Sequence, residues 1–164
     1  MNLWQEDSIK FIIPTPLQQE HEALHGTLRS AAALPGEAGE AAEALARLMH
    51  PHFVKEDETA LPPLGLLGAL ARGEFASEMA GVLALTDRLE AELPTMLEEH
   101  EAIVAALQRL RAAAERVDRG EIVAFADTLI QHARTEEEVM YPAAILVGRH
   151  VRLLTQQAQA GGAR

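Results

Sequence analysis

The sequence contains no cysteine, which removes disulfides, thiolate zinc sites, iron–sulfur clusters and cysteine nucleophiles from consideration. Any metal held by this chain is held through nitrogen and oxygen. Aromatic residues make up only 4% of the chain and β-branched residues are sparse, so a sheet has little to build on; alanine, leucine, glutamate and arginine dominate and favour helix. Basic residues are outnumbered 14 to 25, and the formal net charge is -11. With no block of lysine and arginine, a phosphate backbone would be repelled, and nucleic acid is not an expected partner. No apolar run approaches the roughly 20 residues needed to cross a bilayer, so no membrane span is expected. The opening MNLWQEDSIKFIIPTP has early acids and no basic stretch before an apolar one, unlike a secretory signal, and the expected location is the cytoplasm.

What is present is 164 residues, about half of them apolar, enough for one all-α domain around a single core. Residues 1–15 read as an N-terminal arm, 16–145 as the bundle core, and 146–164 as a helix end followed by a mobile, glutamine-rich tail.

Thr15-Pro16 predicts a helix start, a threonine to cap the free amides and a proline at the first helical position, with Leu34-Pro35-Gly36 as the stop. A second helix from Glu37 carries Leu45, Leu48 and Met49 toward His52, with a kink or bulge expected at Pro51. Between Leu64 and Leu93 the text predicts a connecting helix, a break at Arg72-Gly73 and a further helix from Glu74. After Pro94 a strongly periodic run to Val117 is the third core helix. The fourth starts near Glu121 and passes His132 and Glu136 to a kink at Pro142. The expected fold is an antiparallel up-down four-helix bundle with an extra helical segment between core helices two and three.

The chain also repeats itself. HFVKEDETALP at 52–62 matches HARTEEEVMYP at 132–142, and QQEHEALHGTL at 18–28 matches LEEHEAIVAAL at 97–107. Each half therefore offers a helix with one histidine, His21 or His100, followed by a helix with His-x-x-x-Glu, His52–Glu56 or His132–Glu136. Four residues advance a helix by about 400°, so each such histidine and glutamate lie about 40° apart on one face and can grip the same ion. Four alternating helices then bring four histidines and two glutamates together in the bundle core, where bundles build cofactor sites. Imidazole and carboxylate suit iron, zinc, manganese or copper rather than calcium or magnesium. Six ligands exceed the four a lone zinc wants and suit a pair of metals bridged by Glu56 and Glu136.

This pattern, His21, His52-x-x-x-Glu56, His100, His132-x-x-x-Glu136 with LP and YP following the glutamates, resembles the hemerythrin-like HHE cation-binding domains over roughly residues 16 to 145. The resemblance implies a non-haem di-iron site with terminal histidines and bridging carboxylates. It also implies dioxygen, nitric oxide or peroxide as the small-molecule partner. His25, one turn after His21, breaks the repeat, since its counterpart is Val104. The invertebrate oxygen carriers of the family use five histidines, and His25 stands as the candidate fifth; its other reading is a supporting or core histidine. In those carriers the paired histidines lie on the third helix, whereas here they lie on the first, so oxygen transport is not implied.

Other residues have plainer readings. His50 lies about 160° from His52 around a regular helix, and His150 reads as an exposed residue of the tail. Asp57, Glu58, Glu137 and Glu138 point about 100° or 200° away from the ligands and read as a solvated acidic face or as partners of the ligands. Tyr141 reads as an apolar core tyrosine, since its counterpart is Leu61. Three functions fit: a di-iron protein that senses, stores or detoxifies a small ligand; a di-iron peroxidase or nitrosative-stress repair enzyme; or an interaction module whose metal staples the bundle. The imidazole-rich ligand set favours the first.

Overall fold

The computed structural model describes residues 11–162, and every regular element among them is helical. Helix α1 spans Thr15–Ala32, α2 Glu37–Lys55, α3 Leu67–Ala71, α4 Val82–Arg116, α5 Gly120–Thr135 and α6 Tyr141–Gly162. Two short connections, at 33–36 and 117–119, turn α1 into α2 and α4 into α5, so each of these pairs runs antiparallel. Helix α2 packs on α1 and α4, α4 packs on α5 and α6, and α1 closes the ring against α5. This is the expected four-helix bundle, with α6 prolonging α5. The extra segment between the second and third core helices is also present, as two 3-10 turns at Pro62–Leu66 and Ser77–Gly81 flanking α3.

Several boundaries differ from the sequence reading. Helix α1 begins at Thr15 behind Pro14, and the threonine side chain makes no capping hydrogen bond. Pro51 lies inside α2 without ending it. The departures from α geometry come later, as two π turns at Glu56–Ala60 and Glu136–Met140. In each, the glutamate carbonyl accepts from the residue five positions on, Leu61 or Tyr141, instead of four. Pro62 and Pro142 follow at once; neither has an N–H to return to the turn before, and a widened turn relieves the clash a proline ring makes there. Pro94 is likewise inside a helix, because α4 starts at Val82 rather than after the proline. Leu89 and Met96, on either side of it, are both fully buried and hold the helix continuous.

The helix end expected from 146 is α6, which extends through Gly162 with Val147 and Val151 buried against Leu66, Met79 and Val82. Most of the predicted N-terminal arm, residues 1–10, lies outside the described residues. Residues 11–13 cover this same region: Phe11 packs on the cluster around Val82. The Ile12 backbone crosses Gly65 so closely that a Cβ there would lie 2.2 Å from the Ile12 carbonyl oxygen.

The apolar core is divided. One cluster holds Leu24, Met49, Phe53, Ile103 and Leu129; a second holds Leu61, Met96, Met140 and Tyr141 with Leu17 packed against it. Helices α1 and α4 contribute to both clusters, and the histidine of each falls between the two contributions: His21 between Leu17 and Leu24, His100 between Met96 and Ile103. The polar layer of the bundle is therefore walled above and below by apolar side chains.

Candidate metal centre

His21, His52, His100, His132, Glu56 and Glu136 all lie in this layer, each no more than 5% exposed. Burying six such groups in an apolar bundle is costly unless each finds a partner. The outer nitrogens do. His21 Nδ1 lies 3.2 Å from Asp57 Oδ1, His52 Nδ1 2.9 Å from Glu99 Oε2, His100 Nδ1 2.8 Å from Glu137 Oε1, and His132 Nδ1 3.1 Å from Glu20 Oε1. Glu99 is also paired with Lys55. Donation from each Nδ1–H to a carboxylate fixes the ring orientation and, in a neutral ring, leaves the Nε2 lone pair pointing inward, the arrangement that supports metal-ligating histidines.

The inner atoms converge without satisfying one another. His21 Nε2, His132 Nε2, Glu56 Oε2 and Glu136 Oε1 are buried and lack a hydrogen-bond partner. His52 Nε2 and His100 Nε2 face each other at 2.8 Å. With both outer N–H groups directed at carboxylates, these two nitrogens meet as lone pairs unless one ring is charged. A cation between them removes the conflict and supplies the missing partner to the other four atoms, so the donor set fits a metal.

Donor atoms of His52, Glu56, His100 and Glu136 lie within 4.8 Å of one another, and so do those of His21, His132 and Glu136. Glu136 belongs to both groups: Oε2 is 3.3 Å from His100 Nε2, and Oε1 is 2.6 Å from His132 Nε2 and 3.5 Å from His21 Nε2. Glu56 spans them too, with Oε1 3.4 Å from His52 Nε2 and Oε2 3.7 Å from His21 Nε2. The result is two histidine pairs, one from α2 and α4 and one from α1 and α5, joined by two carboxylates.

The electrostatics of the metal-free layer follow from this crowding. Burial raises the Glu56 carboxyl above its ordinary value, and the neighbouring Glu136 charge raises it further. Burial works the same way on Glu136, but the imidazoles of His100, His132 and His21 around it prevail and hold it well below the usual carboxylate range. His132, which burial alone would make less basic, is pushed up to about 9 by Glu136. Burial, then Glu56, raises the Tyr141 phenol, so it keeps its proton.

The structure does not bring His25 into the layer. It is half-buried one turn from His21, its ring 4.4 Å from that of Phe53 and 6.4 Å from that of His50. Phe53 packs equally against His21, at 4.5 Å, so its ring takes the space through which His25 would approach. His50 is exposed, as its spacing from His52 predicts, and so is His150, as its place near the chain end predicts.

Tyr141 differs from its sequence reading. It is fully buried, but its hydroxyl donates to Glu56 Oε1 and lies 3.2 Å from His100 Nε2 and 3.4 Å from His52 Nε2. Leu61 fills the equivalent place in the other half, so the hydroxyl marks one histidine pair only. Of the acidic residues flanking the six, Asp57 and Glu137 do act as partners, of His21 and His100. Glu20 and Glu99, which precede His21 and His100, were not singled out by the sequence; the shared Glu-His-Glu-Ala surround was their one available signal.

Searches of curated proteins and of solved structures return no significant match. The family model of the hemerythrin HHE cation binding domain matches residues 14–144, which takes in α1 through the start of α6 and all six side chains of the layer. The chain belongs to the hemerythrin HHE cation-binding domain family.

Proposed function

We propose that this chain holds two non-haem iron ions, one between His52 and His100 and one between His21 and His132, with Glu56 and Glu136 shared. We propose further that it binds or reacts with dioxygen, nitric oxide or peroxide in sensing, storage or a stress response. The observation that carries this reading is the convergence of four inward imidazole nitrogens and two spanning carboxylates in one buried layer. Zinc or manganese would satisfy the same donor atoms, but zinc has no redox change to offer a diatomic ligand and manganese prefers a set richer in oxygen. Bound iron would supply the reversible redox change and the open coordination position that such a ligand needs.

The protein's own residues orient, exclude and hold protons. Asp57, Glu99, Glu137 and Glu20 fix the four rings and raise their basicity. The two apolar clusters keep water from the layer. Among the described residues two carboxylates face inward, which limits the negative charge available to high-valent iron and favours reversible binding or modest redox work over hydroxylation. Tyr141 keeps a proton beside His100, and that single observation favours a second reading, a di-iron peroxidase in which this hydroxyl would serve as the proton donor to peroxide.

Iron-loaded, reduced protein exposed separately to dioxygen, nitric oxide and hydrogen peroxide distinguishes these. A stable optical change with one equivalent of a diatomic supports binding; steady peroxide consumption, slowed by Tyr141→Phe, supports the enzyme. Spectra unmoved by all three would overturn both.

A further inference from the structure

A cavity of about 290 Å³ opens between α4 and α6. Its walls are Leu93, Leu97, Ile145 and Leu146, and Tyr141 and Glu137 also line it. The last two are the residues that touch His100 from this side: Glu137 accepts from its Nδ1 at 2.8 Å, and the Tyr141 ring stacks on it with centroids 5.7 Å apart. Leu97 and Leu146 are 37% and 66% exposed and frame the mouth. The cavity therefore runs from solvent to the back of the residues that contact one histidine pair, and it is apolar for most of that distance.

The other half of the repeat is built differently at the same place. Leu93 and Leu97 correspond to Pro14 and Gln18, and Ile145 corresponds to Gly65, across which the Ile12 backbone lies. Tyr141 corresponds to Leu61, which is fully buried. The two histidine pairs are thus near-equivalent in ligands and unequal in their surroundings, one covered by the chain's own N-terminal residues and the other fronted by a cavity.

We propose that this cavity is the port through which small uncharged ligands reach the His52–His100 side of the centre, with the Tyr141 ring as its inner gate. The inference rests on the reading of that layer as the ligand-binding centre. A water molecule in liquid occupies about 30 Å³, so the cavity accepts a diatomic or peroxide with room to spare. Apolar walls concentrate dioxygen or nitric oxide at no desolvation cost. An anion meets Glu137 at the inner end, and among the described residues that line the mouth the cation, Arg149, is engaged by Glu90 at 3.2 Å. Selection is therefore for neutral ligands. Tyr141 has no exposed surface, so passage requires its ring to swing, and the gate and the proton near His100 are the same side chain.

Xenon, a neutral apolar atom, reads the cavity without iron. In zinc-loaded protein under xenon pressure, saturable NMR shifts are expected at the methyls of Leu93, Leu97, Ile145 and Leu146 and at the Tyr141 ring. Leu97→Phe and Leu146→Phe, at exposed positions that tolerate a larger ring, should abolish them; Leu153→Phe, further along α6, should not. In iron-loaded protein the same two variants should slow nitric oxide association several-fold and leave the final spectrum unchanged. Absent xenon shifts, or association rates unaffected by narrowing, would overturn the port. A protein that takes up no iron would instead overturn the proposed function, with the xenon result still legible.

Discussion

His52 and His100 come from different halves of an internal repeat, yet their Nε2 atoms face each other at 2.8 Å while each outer nitrogen meets a glutamate, Glu99 or Glu137. Such a contact is repulsive between neutral rings and becomes favourable with a cation between them. Truncating either member therefore does more than remove a donor atom. His52→Ala and His100→Ala should each lose at least one equivalent of bound metal per chain, measured by elemental analysis after zinc loading, while far-ultraviolet circular dichroism stays helical. Retention of the full complement would show that these two rings are not ligands.

His25 gives the opposite expectation. Its ring packs on Phe53 and lies outside both donor groups. His25→Ala should keep metal stoichiometry unchanged and cost no more than the roughly 1 kcal/mol typical of a single substitution, read by urea denaturation. Loss of an equivalent in this variant would restore it as a fifth ligand.

Without metal, the layer is held by protons, and the sign of its pH dependence follows. Raised from 6.5 to about 9, His132 contributes stability that is complete below 6.5 and lost as pH rises through about 9. Glu136, lowered from 4.5, contributes stability present above that value and lost as pH falls. The metal-free protein should therefore melt highest between about 4.5 and 6.5. Metal competes with those protons, so its affinity rises with pH. Thermal melts with and without zinc should diverge steadily from pH 6 to pH 9, and a constant gap would contradict the proton-held layer.

Tyr141→Phe removes a buried donor to Glu56 and leaves that carboxylate oxygen unpartnered. In the metal-free chain this should destabilise by about 1–3 kcal/mol, the usual cost of an orphaned buried acceptor. Leu61→Met, at the equivalent place in the other half, carries no such bond and should stay within about 1.5 kcal/mol. Equal losses from the two would indicate packing rather than the hydrogen bond.

The approach of α6 to α4 can be tested away from the centre. A Cβ on Gly148 would lie 2.2 Å from Thr86 Oγ1, whereas one on Gly161 meets nothing within 4 Å. Gly148→Ala should cost about 1–3 kcal/mol by overpacking, and Gly161→Ala should be neutral or slightly stabilising. Chemical denaturation curves of the two variants decide it.

The bundle and its six converging side chains were legible because they depend on one quantity, the angle between residues four apart on a helix, stated twice in the sequence. What was not legible depends on packing between helices. Glu20 and Glu99 each sit beside a histidine of their own helix but serve one on another, His132 and His52, a relation that no spacing within one segment encodes. The sequence points to a kink or bulge at Pro51 and a kink at Pro142, whereas the widened turns begin at Glu56 and Glu136, because a proline's missing donor disturbs the turn before it. Tyr141 was assigned to the apolar core from its counterpart Leu61; its ring is indeed there, and only the hydroxyl reaches the polar layer. His25 follows the same four-residue rule as the residues of the layer, but the Phe53 ring packs against it and His21 alike.

The central claim is that one buried layer holds two metals through shared carboxylates. Anaerobic titration of metal-free protein with ferrous iron, followed by exposure to air and recording of the optical spectrum, tests it most directly. The account predicts saturation at two equivalents per chain with oxo-bridge absorption after oxidation, and loss of the bridged spectrum in Glu136→Ala. Saturation at one equivalent or none, or a bridged spectrum that survives without Glu136, would contradict it.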